Sequence, residues 1–268
     1  MRHLCDSHLH LQDARLDPWR SEVVEALRSL RVIHWGVNGT GPGDWNAVSD
    51  LARHHAEVIP SFGLHPWKVK QAPEGWESSL RSVLESHPKA GVGEIGLDKW
   101  VAEPTLAVQI PAFLRQLTFA NELHRPVTIH CLKAWGTLLR LFREHPDCVP
   151  LRGFLLHSFG GPAEMVPALV RLGARFSFSG YFLEPRKEMV CQTFREIPRD
   201  RVLVETDAPD MLLPAGLDGY GLLREGRRVN HPGNIERILV GLAGVLECGV
   251  DELAGQTLAN HESLFGCS

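Results

Sequence analysis

The sequence predicts an α/β fold, a (β/α)8 TIM barrel formed as one domain over residues 1–268. Three observations point to it. Eight short apolar runs alternate with longer amphipathic stretches, with no break in composition between them. The first run leads into DSHLH, where a doubly wound open sheet would favour a glycine-rich turn. Residues able to carry chemistry recur at the ends of the runs, where such a barrel gathers its active site.

The runs and segments alternate in order. RHLCD (2–6) precedes a helix-like segment near 18–30, and VIHWGV (32–37) precedes one near 44–56. VIPSF (58–62) leads to 75–87, and AGVGE (90–94) to 105–124. PVTIH (126–130) leads to 135–146, and GFLLH (153–157) to 162–172. RFSFS (175–179) leads to 186–197, RVLVE (201–205) to 234–247, and a last helix fits 251–265. Pro162 suits the first turn of its helix, and Gly173 the position just past its end. Pro198 closes CQTFREI ahead of the turn into the eighth run. Residues 208–233 read as a long loop, and long loops within compact domains are often functional.

Composition excludes several classes. The 268 residues are 44 % apolar and carry a net charge of −4 with histidines neutral. No basic surplus marks a passive nucleic-acid-binding module. An enzyme acting on nucleic acid stays open, because bound cations neutralise phosphate locally. Cysteines 5, 131, 148, 191, 248 and 267 form no CxxC pair and read as free thiols. No run approaches the roughly 18 apolar residues of a membrane helix. MRHLCDSH lacks the apolar run of a secretion signal. A cytoplasmic protein is expected, without membrane association and with no obligate protein partner evident.

The chemistry begins at His8 and His10. Side chains at i and i+2 share a face of a strand, whereas on a helix they diverge by about 200°. H-x-H at a strand end therefore aims two imidazoles at one point, and neutral imidazole is the commonest side-chain metal ligand. Other run ends supply Glu94, His130, His157 and Asp207. Four histidines and two carboxylates exceed the roughly four ligands of one zinc. They suit two divalent ions with a carboxylate between them.

Each of these residues alone has an ordinary explanation: a chance HxH, a core histidine, a salt-bridge partner, a turn-forming aspartate. Together, at the ends of separate strands, they do not. His65 lies near the mouth and reads as a substrate contact. His54, His55, His87, His124 and His145 fall on or after helices and read as surface residues. His34, His231 and His261 are poorly placed as ligands. By alternation Cys5 and Cys131 face away from the ligands and pack in the core.

Eight motifs follow in order along nearly the whole chain. They are CDSHLHL (5–11), FGLHP (62–66), VGEIGLD (92–98), QLTFANELHRPVTIH (116–130), LLHSFGG (155–161), FSFSG (176–180), VLVETDAPDMLL (202–213) and QTLANHESLFG (256–266). The series resembles the TatD-like metal-dependent hydrolases, usually described as deoxyribonucleases, within the amidohydrolase-like barrel group. The resemblance implies one to three divalent metals. It implies that His8, His10, Glu94 and Asp207 hold one ion, and that Glu94 bridges to a second held with His130 and His157. Two ions are expected, zinc, magnesium or manganese. Glu94 stands where the wider group often has a modified lysine.

Some positions depart from the family pattern. Gln12 replaces an Asp or Asn. Leu132 stands where many members have arginine, with Lys133 as a substitute phosphate contact. Helix 105–124 keeps only Gln109, Phe113 and Gln116 of a longer pattern.

The implied activity is metal-assisted phosphodiester hydrolysis on DNA, of the 3′–5′ exonuclease type, with a metal-activated water. Asp207 is expected to orient that water and accept its proton. Glu205 and Asp6 are expected to support the ligands. Lys99, Lys133, Arg227 and Arg228 lie near the predicted mouth. Trp67, Trp100, Trp135 and Tyr220 are candidates to stack on bases, although partly buried tryptophans are ordinary. The missing arginine keeps open hydrolysis of a small amide, lactone or ester by the same dinuclear site. A non-catalytic metal-binding protein is the third reading, against which the complete ligand set argues.

Overall fold

The computed structural model describes residues 2–266. Its central sheet has eight strands in sequential order, each parallel to the next. They are β1 (Leu4–Leu9), β2 (Val32–Asn38), β3 (Val58–Phe62), β4 (Gly91–Asp98), β5 (Val127–Leu132), β6 (Phe154–Leu156), β7 (Ala174–Ser179) and β8 (Val202–Glu205). The helices between them are α1 (Arg20–Ser29), α2 (Trp45–His54), α3 (Trp76–Ser86), α4 (Leu106–Glu122), α5 (Trp135–Glu144), α6 (Val166–Arg171) and α7 (Glu188–Glu196). After β8 come α8 (Ile235–Leu246) and α9 (Val250–Phe265). The predicted barrel is the observed one.

The seam between β1 and β8 uses a side chain. The Asp6 carboxylate accepts from Thr206 N at 3.0 Å and from Thr206 Oγ1 at 2.5 Å. Just beyond, Asp207 N donates to His8 O at 2.9 Å and His10 N to Ala208 O at 2.7 Å. Asp6, expected to support the ligands, therefore ties the two strands that carry His8, His10 and Asp207. Burial pushes its carboxyl up to about 8, although Thr206 favours the charged form.

Apolar faces of the helices pack on the barrel. Phe113, Leu117 and Phe119 of α4 are buried, as are Leu138 and Phe142 of α5. Helix α9 buries Leu253, Ala254, Thr257, Asn260 and His261. Asn260 Nδ2 donates to Val202 O at 2.7 Å, at the start of β8. His34, 5.5 Å from His261 ring to ring, lies with it on the α9 side rather than among the site histidines. Cys131, Cys148, Cys191 and Cys248 are unbridged thiols, and Cys267 lies outside the described residues. Cys5 and Cys131 are buried as predicted. No described helix is long and apolar enough to cross a membrane.

Several boundaries differ from expectation. β1 starts and ends later than 2–6, because all of Leu4–Leu9 is buried and stays in the sheet. β4 runs on to Asp98. Pro162 precedes a 3-10 turn (Ala163–Met165), so α6 begins only at Val166. The long loop contains a hairpin of β9 (Leu222–Arg224) and β10 (Arg227–Val229). Its two-residue turn places Glu225 and Gly226 at φ 52° and 75°, the mirror-image turn that matches strand twist.

Gly96 sets how closely β4 and β5 run. It pairs with His130, and a Cβ on it would lie 1.9 Å from His130 O, at a φ of +153°. Only glycine fits there. Gly96→Ala is expected to destabilise the protein by roughly 3–5 kcal/mol, from overpacking against backbone plus dihedral strain. Urea denaturation measures this, and a loss under about 1 kcal/mol would contradict the packing argument.

Candidate metal centre

Five barrel strands and one loop deliver side chains to a single point. The ladder between β1 and β2 shifts register between Asp6 and Leu9, and that between β4 and β5 shifts between Val92 and Ile95. Such irregularities re-aim side chains at barrel rims. His8 and Glu94 sit inside these two stretches.

His8 Nε2 and His10 Nε2 are 3.3 Å apart. His8 Nε2 lies 3.5 Å from Glu94 Oε2 and 3.3 Å from Asp207 Oδ1. His10 Nε2 lies 3.3 Å from Glu94 Oε2 and 3.6 Å from Asp207 Oδ1. A tetrahedron with metal–donor bonds of about 2.1 Å has edges of about 3.4 Å. These five separations fit that figure, so His8 and His10 with either carboxylate suit one ion.

The other oxygen of Glu94 faces a second group. Glu94 Oε1 lies 2.8 Å from His157 Nε2 and 3.1 Å from His130 Nδ1. Those two nitrogens are 3.2 Å apart. His65 Nε2 also approaches Glu94 Oε1, at 3.2 Å.

In the neutral ring that a metal requires, the outer nitrogen decides what the inner one can do. His10 Nδ1 donates to Asn38 O at 2.9 Å, leaving a lone pair on Nε2. His130 Nε2 donates to Asp98 Oδ2 at 3.0 Å, leaving a lone pair on Nδ1. His157 Nδ1 faces Glu205 Oε1 at 3.6 Å, and that carboxylate is fixed by Ser158 N at 2.7 Å. His65 is the reverse. Its Nδ1 accepts from Trp67 N at 3.2 Å, so its Nε2 carries the hydrogen toward Glu94. His65 is thus a donor to the cluster, not a fourth lone pair.

Charge has the same sense. Burial alone would raise the Glu94 carboxyl, but His157 and His65, with hydrogen bonds from His10 and His130, hold it well below the carboxylate range. Asp207 is likewise depressed, its burial outweighed by His10 and His8. Burial disfavours charge on His10, yet Asp207 and Glu94 raise it well above its ordinary value. Burial also opposes charge on His157, and Glu94 and Glu205 raise it. For His65 burial wins, lowering it to about 4. The field favours cations at both clusters, and protons on imidazole are the weakest form such cations take. Together with the donor spacing, this fits divalent metal binding.

The clusters floor a cleft of about 460 Å³. Five of the six predicted ligands, His10, Glu94, His130, His157 and Asp207, line it together with His65, and His8 lies buried directly behind them. Lys133 does not line it: its Nζ sits 3.8 Å from the Trp100 ring centre, so the ammonium rests on an aromatic face. Arg228 is held by Asp218 at 3.0 Å. Trp135 packs on Phe159 at 4.9 Å, and Tyr220 stacks on His231 at 3.7 Å. The cations on the cleft wall are instead Arg15 and Lys68, which sequence reasoning did not single out. Asp98 was missed as well. Its signal was strand alternation, four residues after Glu94 on the same face.

Comparison with known proteins agrees over the full length. A family model described as TatD related DNase matches residues 5–266. The chain is 31 % identical to the 3′–5′ ssDNA/RNA exonuclease TatD of Erwinia amylovora, over 97 % of this chain and 99 % of that one. It is 30 % identical to the metal-dependent hydrolase YcfH of Escherichia coli, over 98 % and 95 % of the two chains. The solved structure of the Escherichia coli TatD homologue YJJV superposes with a TM-score of 0.89 at 25 % identity, covering 99 % of this chain and 98 % of that one. With eight motifs in order along the chain, the full-length match and the shared barrel in agreement, the chain belongs to the TatD related DNase family.

Proposed function

We propose that the chain is a divalent-metal-dependent phosphodiesterase that removes nucleotides from the 3′ ends of single-stranded DNA. The observation that carries this reading is Glu94, whose two oxygens each face a separate set of nitrogen donors. On this reading His8, His10, Glu94 and Asp207 hold one ion, and Glu94, His130 and His157 hold the other. A mixed imidazole and carboxylate set accepts zinc, manganese or magnesium. The names of its relatives supply the substrate class.

Bound ions supply an acidified water and a Lewis acid for the phosphoryl oxygen. The chain supplies the rest. Asp207 is fixed by its backbone bond to His8 O at 2.9 Å and stays anionic across the physiological range. Its carboxylate orients the attacking water and takes its proton, which leaves through the open cleft. His65, neutral and with its single Nε2–H turned toward Glu94, steadies that carboxylate at the wall of the cleft where the substrate enters. Lys68, whose Nζ donates to Thr40 Oγ1, stands at the rim for the phosphate charge.

One observation favours a second reading. Leu132, where many relatives have arginine, is exposed, and Lys133 is turned onto Trp100. Without that guanidinium, a small neutral ester, amide or lactone suits the same centre. Both readings are tested by incubating protein loaded with Mg2+, Mn2+ or Zn2+ with 5′-labelled single-stranded DNA beside an ester, amide and lactone panel. A ladder shortening from the 3′ end is expected, weakened roughly a hundredfold or more in Asp207→Asn. Equal cleavage by the variant would trace the activity to a contaminant and sink the nuclease reading. Faster turnover of the panel would transfer the assignment to the second.

Metal content separates the ligands from their supports. Glu94→Gln is expected to reduce bound metal from two ions per chain to one or none, read by elemental analysis after dialysis. Asp98→Ala removes no ligand but takes away the acceptor of His130, and with it that of the Trp67 indole, and is expected to weaken one ion by roughly 10–100-fold. Two full equivalents retained in Glu94→Gln would refute the bridging role.

Protons and metal compete for the same imidazoles. His10 and His157 are raised in the metal-free protein. Their stabilising share is therefore complete below the unfolded value of about 6.5 and is lost as pH rises through the folded values. Glu94 and Asp207 are depressed, so their share persists throughout this range. Metal-free protein should lose melting temperature from about pH 6 to 9, while the metal-loaded form should not. Calorimetry with and without chelator measures this, and a metal-free melting temperature that rises over that range would contradict the charge assignment.

A further inference from the structure

We propose that the open face of Trp67 is a nucleobase subsite, stacking the base of the terminal nucleotide beside the metal centre. The inference rests on the nuclease reading above and adds what the enzyme recognises. Trp67 lines the cleft and is 51 % exposed. Its ring is nevertheless held firmly. Nε1 donates to Asp98 Oδ2 at 2.6 Å, and the rings of His65 and His130 meet it nearly edge-on, with centroids 5.0 and 6.1 Å away. The indole is gripped through its polar edge and its imidazole neighbours while half its surface stays in water. A flat, pre-oriented aromatic surface exposed in a cleft is matched by another flat π-face, since stacking costs little ordering when one ring is already fixed.

The rim charges make such a contact necessary. Arg15 lines the cleft, but its guanidinium is bound to Asp210 at 2.7 and 2.8 Å and to Asp13 at 2.8 and 3.0 Å. Asp44 adds another carboxylate and lies 3.8 Å from Lys68 Nζ. Phosphate attraction at the rim is therefore weak, and holding a strand needs short-range contact with bases. The other candidate stacking residues are engaged elsewhere: Trp100 with Lys133, Trp135 with Phe159, Tyr220 with His231. Trp67 is the one that faces both the cleft and, through Asp98, the partner of His130.

The test compares two oligothymidylates, one ending in a normal 3′ nucleotide and one in a 3′ abasic residue. Wild type is expected to prefer the base-bearing end about tenfold in kcat/KM, the magnitude of one stacked base. Trp67→Ala should bring that ratio close to one. Trp67→Phe keeps a flat face but loses the bond to Asp98, so it should retain most of the preference. The ratio is internal to each protein and does not depend on how much metal it binds. A second measurement needs no turnover: oligothymidylate should quench tryptophan fluorescence of the metal-free wild type, and Trp67→Phe should lose that quenching. Cleavage of both ends alike by wild type, or a preference surviving in Trp67→Ala, overturns the subsite and leaves the nuclease reading standing. If no oligonucleotide is cleaved, the nuclease reading falls. The quenching then decides the subsite by itself: present in wild type and absent in Trp67→Phe supports it, and its absence from wild type overturns it.

Discussion

Glu94 is a carboxylate buried to 2 % exposure with five imidazoles around it, His65 among them. A charge taken so far out of water costs several kcal/mol unless opposite charge is placed against it. The barrel meets that demand from every side, with His8 and His10 from the first strand end, His130 from the fifth and His157 following the sixth. Removing any one of them leaves Glu94 less compensated, which makes the cluster a unit rather than a set of separable contacts. The register shifts in β1 and β4 are the local departures from regular sheet that let these side chains meet.

Meeting is not sufficient, because imidazole presents either a lone pair or a hydrogen at each nitrogen. The groups behind the rings make that choice for two of them: the Asn38 carbonyl for His10 and Asp98 for His130. These groups are themselves fixed. Gln109 of α4 accepts from Asp98 N at 2.7 Å and donates to Asp98 O at 2.8 Å. Seven residues along the same helix face, Gln116 accepts from Leu64 N at 2.7 Å, next to His65. One helix thus pins the backbone at two strand ends, and two buried amides do what apolar packing cannot, since they specify orientation as well as position.

The parts of this arrangement legible in the sequence are those that repeat with a period. Alternation placed His8 and His10 on one face, and the succession of runs and amphipathic segments gave the barrel. Glu94, His130, His157 and Asp207 could be found because each follows an apolar run in a fold whose strand ends converge. Asp98 escaped because the fourth run was ended at Glu94, while the strand continues beyond it. The carbonyl of Asn38 is backbone and leaves no mark in the sequence. The hairpin within 208–233 turns on Glu225–Gly226, a weaker signal than Asn-Gly or Asp-Gly. Lys133 is near the mouth in sequence, but the choice between solvent, phosphate and the Trp100 face is made only in three dimensions.

On the proposed reading, an acidic protein acting on a polyanion must find its attraction close to the bond it breaks. Here the distribution of charge does this by depth. At the rim, Asp13 and Asp210 enclose Arg15, and Asp44 lies near Lys68. A duplex or a strand lying across the mouth gains little there, since its phosphates meet charges already neutralised or of their own sign. On the proposed reading two divalent ions at the floor bring four positive charges against the two negative charges of Glu94 and Asp207. The attractive region is then deep, narrow and surrounded by a neutral-to-negative ring. Only a free end can bring one phosphate to the floor without pressing its neighbours against the ring. On that reading, a preference for ends over interiors would follow from where the charges lie, before any contact with the sugar or base is considered.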